Sequence, residues 1–192
     1  MGMKIVGGYA RGLELADLSD QCGVRPTVGR SREALFNALG DLTGARVLDL
    51  FAGSGALGLE AASRGAEYVM LVELERARIP LIEANIAKVL KTGCPGRVEL
   101  KNADATSPAR YLAGEGFDLV FADPPYAESF AAFAKLATGT GEALFPAFGA
   151  ARVVWELPDA PGSAGNFIEK LELAGAPWRL RRFGGTDFLW IN

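Results

Sequence analysis

Short apolar runs alternate with longer amphipathic stretches along this chain of 192 residues, an order that predicts strands and helices in turn. Lys4 to Val6 and Leu13 to Leu15, set around Gly7, Gly8 and Gly12, predict a small hairpin. Ser31 to Leu39 places Ala34, Leu35, Ala38 and Leu39 at helical spacing, while Pro26 holds Arg25 extended ahead of it. Val47, Leu48 and Leu50 make a short strand with Asp49 near its carboxyl end. Ala56 to Ser63 reads as helix, and Tyr68 to Val72 as a second strand ending at Glu73. Glu75 to Leu90 is helical, but Pro80 lacks an N–H and requires a kink or a later start. Val98 to Leu100 and Phe117 to Ala122 are further strands, the latter apolar throughout, as in the middle of a parallel sheet.

Downstream, Ser129 to Ala137 predicts a helix and Ala151 to Glu156 a strand. Pro158 to Gly165 is a loop, Asn166 to Leu173 a helix, and Trp178 to Arg182 with Thr186 to Ile191 a hairpin around Gly184-Gly185. The expected fold is therefore α/β: a mixed, mostly parallel sheet with an antiparallel carboxyl-terminal hairpin and helices on both faces. Trp155, Trp178 and Trp190 have alternating apolar neighbours and are read as core or edge packing rather than platforms for a base.

Two turns in this pattern carry candidate chemistry. Gly53, Gly55 and Gly58 follow the first long strand and lead into a helix, whose unpaired N–H groups and positive dipole end make a nucleotide-type pocket. Asp49, just before the turn, opposes a pyrophosphate and suits a cationic or amine-bearing ligand instead. Glu73 lies 24 residues beyond Asp49, the separation at which one βαβ unit delivers an acid to the neighbouring strand tip, where it can accept two ribose hydroxyls. Asp104 either receives the amino group of an adenine or, with Thr106, caps a helix over Pro108 to Leu112. The second turn is Asp123, Pro124, Pro125 and Tyr126. An aromatic face beside a carboxylate and free proline carbonyls suits a planar base with an exocyclic amine, oriented through its protons by Asp123 and the Pro124 carbonyl.

Composition narrows these options. Hydrophobic residues make up 49% of the chain, enough for one full core with a small appendage, and no repeat or linker marks a second large domain. Without histidine, Ser-His-Asp and Cys-His catalysis are excluded and a zinc site would need unusual ligands. Cys22 and Cys94 give no disulfide framework, and the amino terminus lacks an apolar segment of signal or membrane length, so a reduced cytoplasmic setting is expected. A net charge of -3 argues against a broadly basic nucleic-acid wrapper. Arg25, Arg30 and Arg32 nonetheless gather near a loop-to-helix junction, either as solvated surface or as a patch that meets phosphates.

DLFAGSGALGLEAASRGA, Glu73, NADA and ADPPY together resemble S-adenosylmethionine-dependent amino methyltransferases of class I, Rossmann-like fold. The upstream VRPTVGRSREALFN narrows the resemblance to bacterial small-subunit ribosomal RNA guanine-N2 methyltransferases of the RsmD type, over about Ile5 to Trp190. The resemblance implies methylation of the N2 amine of a guanine in 16S ribosomal RNA, within an assembling or assembled small subunit. S-adenosylmethionine is the implied cofactor and S-adenosylhomocysteine its product, with no metal, membrane or obligate protein partner. Residues 1–40 would be the RNA-contacting extension and 41–192 the methyltransferase domain. Asp49, Phe51, Ala52, Gly53, Ser54 and Gly55 would line the methionine and ribose side of the cofactor, Glu73 would bind its ribose, and Asp104 with Ala105 its adenine. Asp123, Pro124, Pro125 and Tyr126 would hold the guanine, with Arg25, Arg30 and Arg32 on the RNA backbone. A DNA adenine-N6 methyltransferase and an inactive cofactor- and RNA-binding assembly protein are the alternatives. The chain departs from the family's usual pattern at Val28-Gly29 and at Ala127-Glu128-Ser129.

Overall fold

A computed structural model describes residues 3–17, 27–114, 116–160 and 162–192, so Arg25 lies outside the described residues. β1 (Met3–Lys4) and β2 (Glu14–Leu15) form the expected small hairpin. α1 spans Thr27–Leu39, starting earlier than the apolar spacing suggested. β3 (Arg46–Leu50), α2 (Ala56–Ser63), β4 (Tyr68–Glu73), α3 (Ile79–Leu90) and β5 (Arg97–Asn102) follow. Pro80 sits in the first turn of α3, where its missing N–H costs nothing, and one 3₁₀ turn, Arg76–Arg78, precedes it. β6 (Leu119–Ala122), α4 (Ser129–Leu136), β7 (Arg152–Glu156), α5 (Gly165–Ala174), β8 (Trp178–Phe183) and β9 (Thr186–Ile191) complete the order.

Among the described residues, seven strands form one sheet in the order β5-β4-β3-β6-β7-β9-β8. β5 through β7 run parallel, whereas β9 is antiparallel to both β7 and β8. The mostly parallel sheet with an antiparallel end is the expected architecture. Because β3 pairs with β4 on one side and β6 on the other, the chain reverses its direction of travel across the sheet there. Ligand crevices in open α/β sheets lie beyond the carboxyl ends of the strands at such a switch point.

Each face of the sheet carries its own apolar cluster. One packs β-strand residues against Phe133 of α4 and Phe167 and Leu171 of α5, with Trp155 fully buried and its indole N–H donating to Ser129 Oγ at 3.1 Å. The other joins Phe36 of α1, Leu59 of α2 and Ile82 of α3 to Ile5 and Leu15 of the amino-terminal hairpin. The hairpin is thus built into the second core. Val6 N–H donates to Glu60 Oε2 at 2.7 Å, Tyr9 N–H to the Ser63 carbonyl at 2.8 Å, and Ala16 N–H to Asn85 Oδ1 at 2.8 Å. Gly8 cannot be replaced there: its φ is +73°, and a Cβ would lie 1.7 Å from the Ser63 carbonyl oxygen.

Two expectations are corrected. The buried stripe of α1 runs through Ser31, Arg32, Leu35 and Phe36, while Ala38 is exposed. Phe36 sets this rotation by packing on Phe121 of β6, with ring centroids 5.4 Å apart. The helix expected over Pro108 to Leu112 is a single 3₁₀ turn, Pro108–Arg110, without a side-chain cap.

Candidate functional site

Four strand ends bring four carboxylates to one face of the sheet. Side chains alternate along a strand, and Val47, Leu71, Phe121 and Val154 all belong to the cluster under α1, α2 and α3. Asp49, Glu73, Asp123 and Glu156 each follow one of these by two residues, so alternation sends them to the same side. Asp49 is in register with Leu71 and Phe121, and Phe121 with Val154. Glu73, Asp123 and Glu156 therefore form a row, with Asp49 two residues below it. The corresponding β3 position is Phe51, whose φ of +60° turns the chain out of the strand. A cavity of about 930 Å³ opens here, and all four carboxylates line it.

The glycine turn is held from both neighbouring strands. Asp49 Oδ2 accepts the Gly58 N–H at 2.8 Å, and Gly58 packs so closely that a Cβ would lie 2.2 Å from Leu71 Cδ2 and force that side chain to shift. Glu73 Oε2 accepts the Gly53 N–H at 2.8 Å, and its Oε1 accepts the Glu75 N–H at 2.8 Å. Each oxygen keeps a second lone pair for a ligand. Phe51, Ala52, Gly53 and Ser54 all line the cavity, and Gly53 leaves open room there, since a Cβ would meet nothing nearer than 3.8 Å. Gly55 does not share that role. At φ +81° it donates its N–H to the Ala52 carbonyl at 2.7 Å, and a Cβ on it would point at Leu59, Leu71 and Ile82. It shapes the turn from the core side.

Asp104 and Ala105 also line the cavity. Asp104 Oδ1 accepts Thr106 N–H at 2.8 Å and Thr106 Oγ–H at 2.7 Å, while Oδ2 accepts Ser107 Oγ–H at 3.1 Å. Against the desolvation that would raise it, these bonds and Lys135 hold the Asp104 carboxyl below its ordinary value. Across the cavity stand Asp123, Pro124, Pro125 and Tyr126. The Pro125 carbonyl accepts the Glu128 N–H at 2.9 Å, so the turn itself occupies one of its two lone pairs, and Tyr126 is half exposed.

Gathering acids in one cavity changes their chemistry. Burial pushes Asp49 up to about 8, partly offset by the Gly58 hydrogen bond and reinforced by the charges of Asp123 and Glu73. Asp123 is open to the cavity yet surrounded by protein, and desolvation raises it. Glu156 is raised by desolvation and then by Asp123. A positively charged ligand or a set of N–H donors relieves all three by favouring their ionised forms.

The sequence did not single out Glu156, Leu74, Arg78 or Lys135, which also line the cavity. For Glu156 the signal was present: an acid closing an apolar strand at the carboxyl edge of a parallel sheet. The three-arginine patch is corrected. Arg30 is exposed, but Arg32 is only 4% exposed, donates to the Lys4 carbonyl and sits 3.9 Å from buried Glu60, which Arg64 also engages at 2.8 Å. Arg32 therefore ties α1 to the hairpin and α2 and is not presented to an outside phosphate.

The family described as Conserved hypothetical protein 95 matches residues 3–141. "Ribosomal RNA small subunit methyltransferase D" of Escherichia coli (strain K12) is 42% identical over 127 residues, which span 65% of this chain and 60% of that relative's length. The protein of the same name from Haemophilus influenzae is 36% identical over 126 residues, covering 65% of this chain and 64% of its own. The solved structure "Putative methyltransferase yhhF from Escherichia coli" superposes with a TM-score of 0.69 at 31% identity, covering 100% of this chain and 98% of the other.

Proposed function

Since this chain belongs to the Conserved hypothetical protein 95 family, we propose that it is an S-adenosylmethionine-dependent methyltransferase acting on the exocyclic N2 amine of a guanine in small-subunit (16S) ribosomal RNA. The convergence of the glycine turn, Glu73 and the Asp123–Tyr126 turn on one cavity carries this assignment. The donor set fits the cofactor. Glu73, already oriented by two backbone amides, has lone pairs left for vicinal ribose hydroxyls, and Gly53 leaves the wall open to close approach. Buried Asp49, held protonated by desolvation, ionises as a cationic ligand arrives beside it, and Asp104 Oδ2 and Ala105 would receive the adenine.

The cofactor supplies an electrophilic methyl group on a sulfonium, so the protein's contribution is orientation and electrostatics. Asp123 and the Pro124 carbonyl accept the two amine protons and aim the nitrogen lone pair, while Tyr126 offers its ring to the base. With the methyl group supplied by the cofactor, one proton of the amine, acidified by alkylation, would pass from the nitrogen to Asp123. The raised Asp123 carboxyl suits an acceptor that takes this proton late. Residues 1–40, including Arg30, form the RNA-contacting extension, and the partner is a small ribosomal subunit or its precursor in the cytoplasm. Among the described residues no helix is long and apolar enough to cross a membrane.

Labelled S-adenosylmethionine offered with small-subunit particles from a strain lacking the gene, with naked ribosomal RNA or with DNA tests the assignment. Methylguanine in the small-subunit RNA is the expected product. Cofactor binding without methyl product on any of the three would overturn it.

A further inference from the structure

Glu156 has no part in the roles above, yet it closes the row of carboxylates on the substrate side. Ala122 and Trp155 are the last register partners of two adjacent parallel strands, which run about 4.8 Å apart, and Asp123 and Glu156 are the next residue of each, close enough that the charge of one acts on the other. Both line the cavity, and Phe188, the register partner of Glu156 on β9, lines it beside them. Two carboxyls side by side in one cavity favour a ligand that brings adjacent N–H donors to them.

The Watson–Crick edge of a base turned out of its stack distinguishes the candidates. Guanine presents its N2 amine next to the ring N1–H, two donors in a row. Adenine presents its amine next to a ring nitrogen that is an acceptor; the ionised carboxyl pair would face its lone pair, and only a Glu156 that keeps its proton could meet it. We infer that Glu156 is a specificity-determining residue that accepts the guanine N1–H while Asp123 accepts a proton of the neighbouring amine, so that the carboxyl pair selects guanine over adenine. This rests on the methyl-transfer assignment above. No bond is made or broken at Glu156. Its hydrogen bond is present in the bound substrate and in the transition state alike, so its loss falls on KM more than on kcat.

The test uses small-subunit particles carrying the mapped target nucleotide as guanine or replaced by adenine. Glu156→Leu removes the acceptor at similar volume and raises KM for the guanine particle about ten- to hundredfold, with kcat within a few-fold. Glu156→Gln keeps a carbonyl for guanine N1–H but can turn its NH₂ toward adenine, so methyladenine appears on the replaced particle. Titration with S-adenosylhomocysteine at wild-type affinity shows that each variant retains its folded cofactor site, and Glu156→Gln carries the test alone if the leucine variant fails to fold. Wild-type KM in Glu156→Leu, or undiminished rejection of adenine in Glu156→Gln, overturns the inference. A wild-type protein silent on both particles instead overturns the methyl-transfer assignment beneath it.

Discussion

Glu73 reaches from the end of β4 to the Gly53 N–H in the turn after β3, a span of 2.8 Å that fixes the height of the glycine turn against the neighbouring strand. Its other oxygen is anchored by the Glu75 N–H, and Asn102 Nδ2 donates to the Glu73 and Leu74 carbonyls at 2.8 and 2.9 Å. An acid held this firmly binds vicinal hydroxyls without first ordering its own side chain. Glu73→Ala weakens S-adenosylhomocysteine binding by about 1.5–3 kcal/mol, read by isothermal titration. Glu73→Gln loses less, since its carbonyl still accepts the Gly53 N–H. Wild-type affinity in folded Glu73→Ala would remove Glu73 from the cofactor site.

Asp49 makes stability depend on pH. Its folded-state carboxyl is raised to about 8, whereas in the unfolded chain it titrates near 4. The native protein therefore holds a proton the unfolded chain has lost, and the associated stability is complete below about pH 4 and declines as pH rises to about 8. Asp49→Asn retains an oxygen for the Gly58 N–H and flattens that decline, stabilising the protein at pH 8 by on the order of 2 kcal/mol in urea unfolding. An unchanged slope between pH 5 and 8 would show that Asp49 is ionised in the folded protein.

Gly58 is a packing requirement rather than a conformational one, since it lies within α2 and its Cβ would strike Leu71 and Val69. Gly58→Ala should cost about 1–3 kcal/mol and lower Tm by roughly 3–10 °C in thermal unfolding. A midpoint equal to wild type would mean that α2 moves off β4 freely.

Arg30 and Arg32 are two residues apart and separate cleanly. Arg30→Gln lowers RNA affinity and reduces the slope of log affinity against log salt by about 1, leaving Tm unchanged. Arg32→Gln leaves Glu60 with a weaker set of partners and costs about 1–3 kcal/mol of stability instead. Identical effects of the two changes on RNA binding, at equal stability, would contradict the burial of Arg32.

The elements most legible in the sequence were those whose limits are set locally. α2 begins and ends where the glycine turn and Arg64-Gly65 require, and α3 begins where Pro80 permits. Glu73 and Asp123 were legible because a parallel strand must deliver its next residue to the carboxyl edge. Arg32 was not, because a guanidinium reads as surface until its partner is known, and Glu60 is 28 residues away in the chain. Gly55 looked like part of the ligand wall because the spacing of the three glycines does not reveal which of them faces the core. Asp104 was left between two uses, and its turn with Thr106 and Ser107 occupies most, though not all, of its acceptor capacity.

Ser31 of α1 meets Thr186 of β9 through their hydroxyls at 3.1 Å, across 155 residues of chain, and the Gly184 turn lies against the Ser31 backbone. Both residues rim the cavity. On a ribosome, the first helix of this protein must wait until the final hairpin has emerged before that rim can close, because contacts so distant in sequence form late. A nascent chain therefore carries the glycine turn and the Asp123–Tyr126 turn well before it carries a finished mouth, and the rim closes only once β9 has been made.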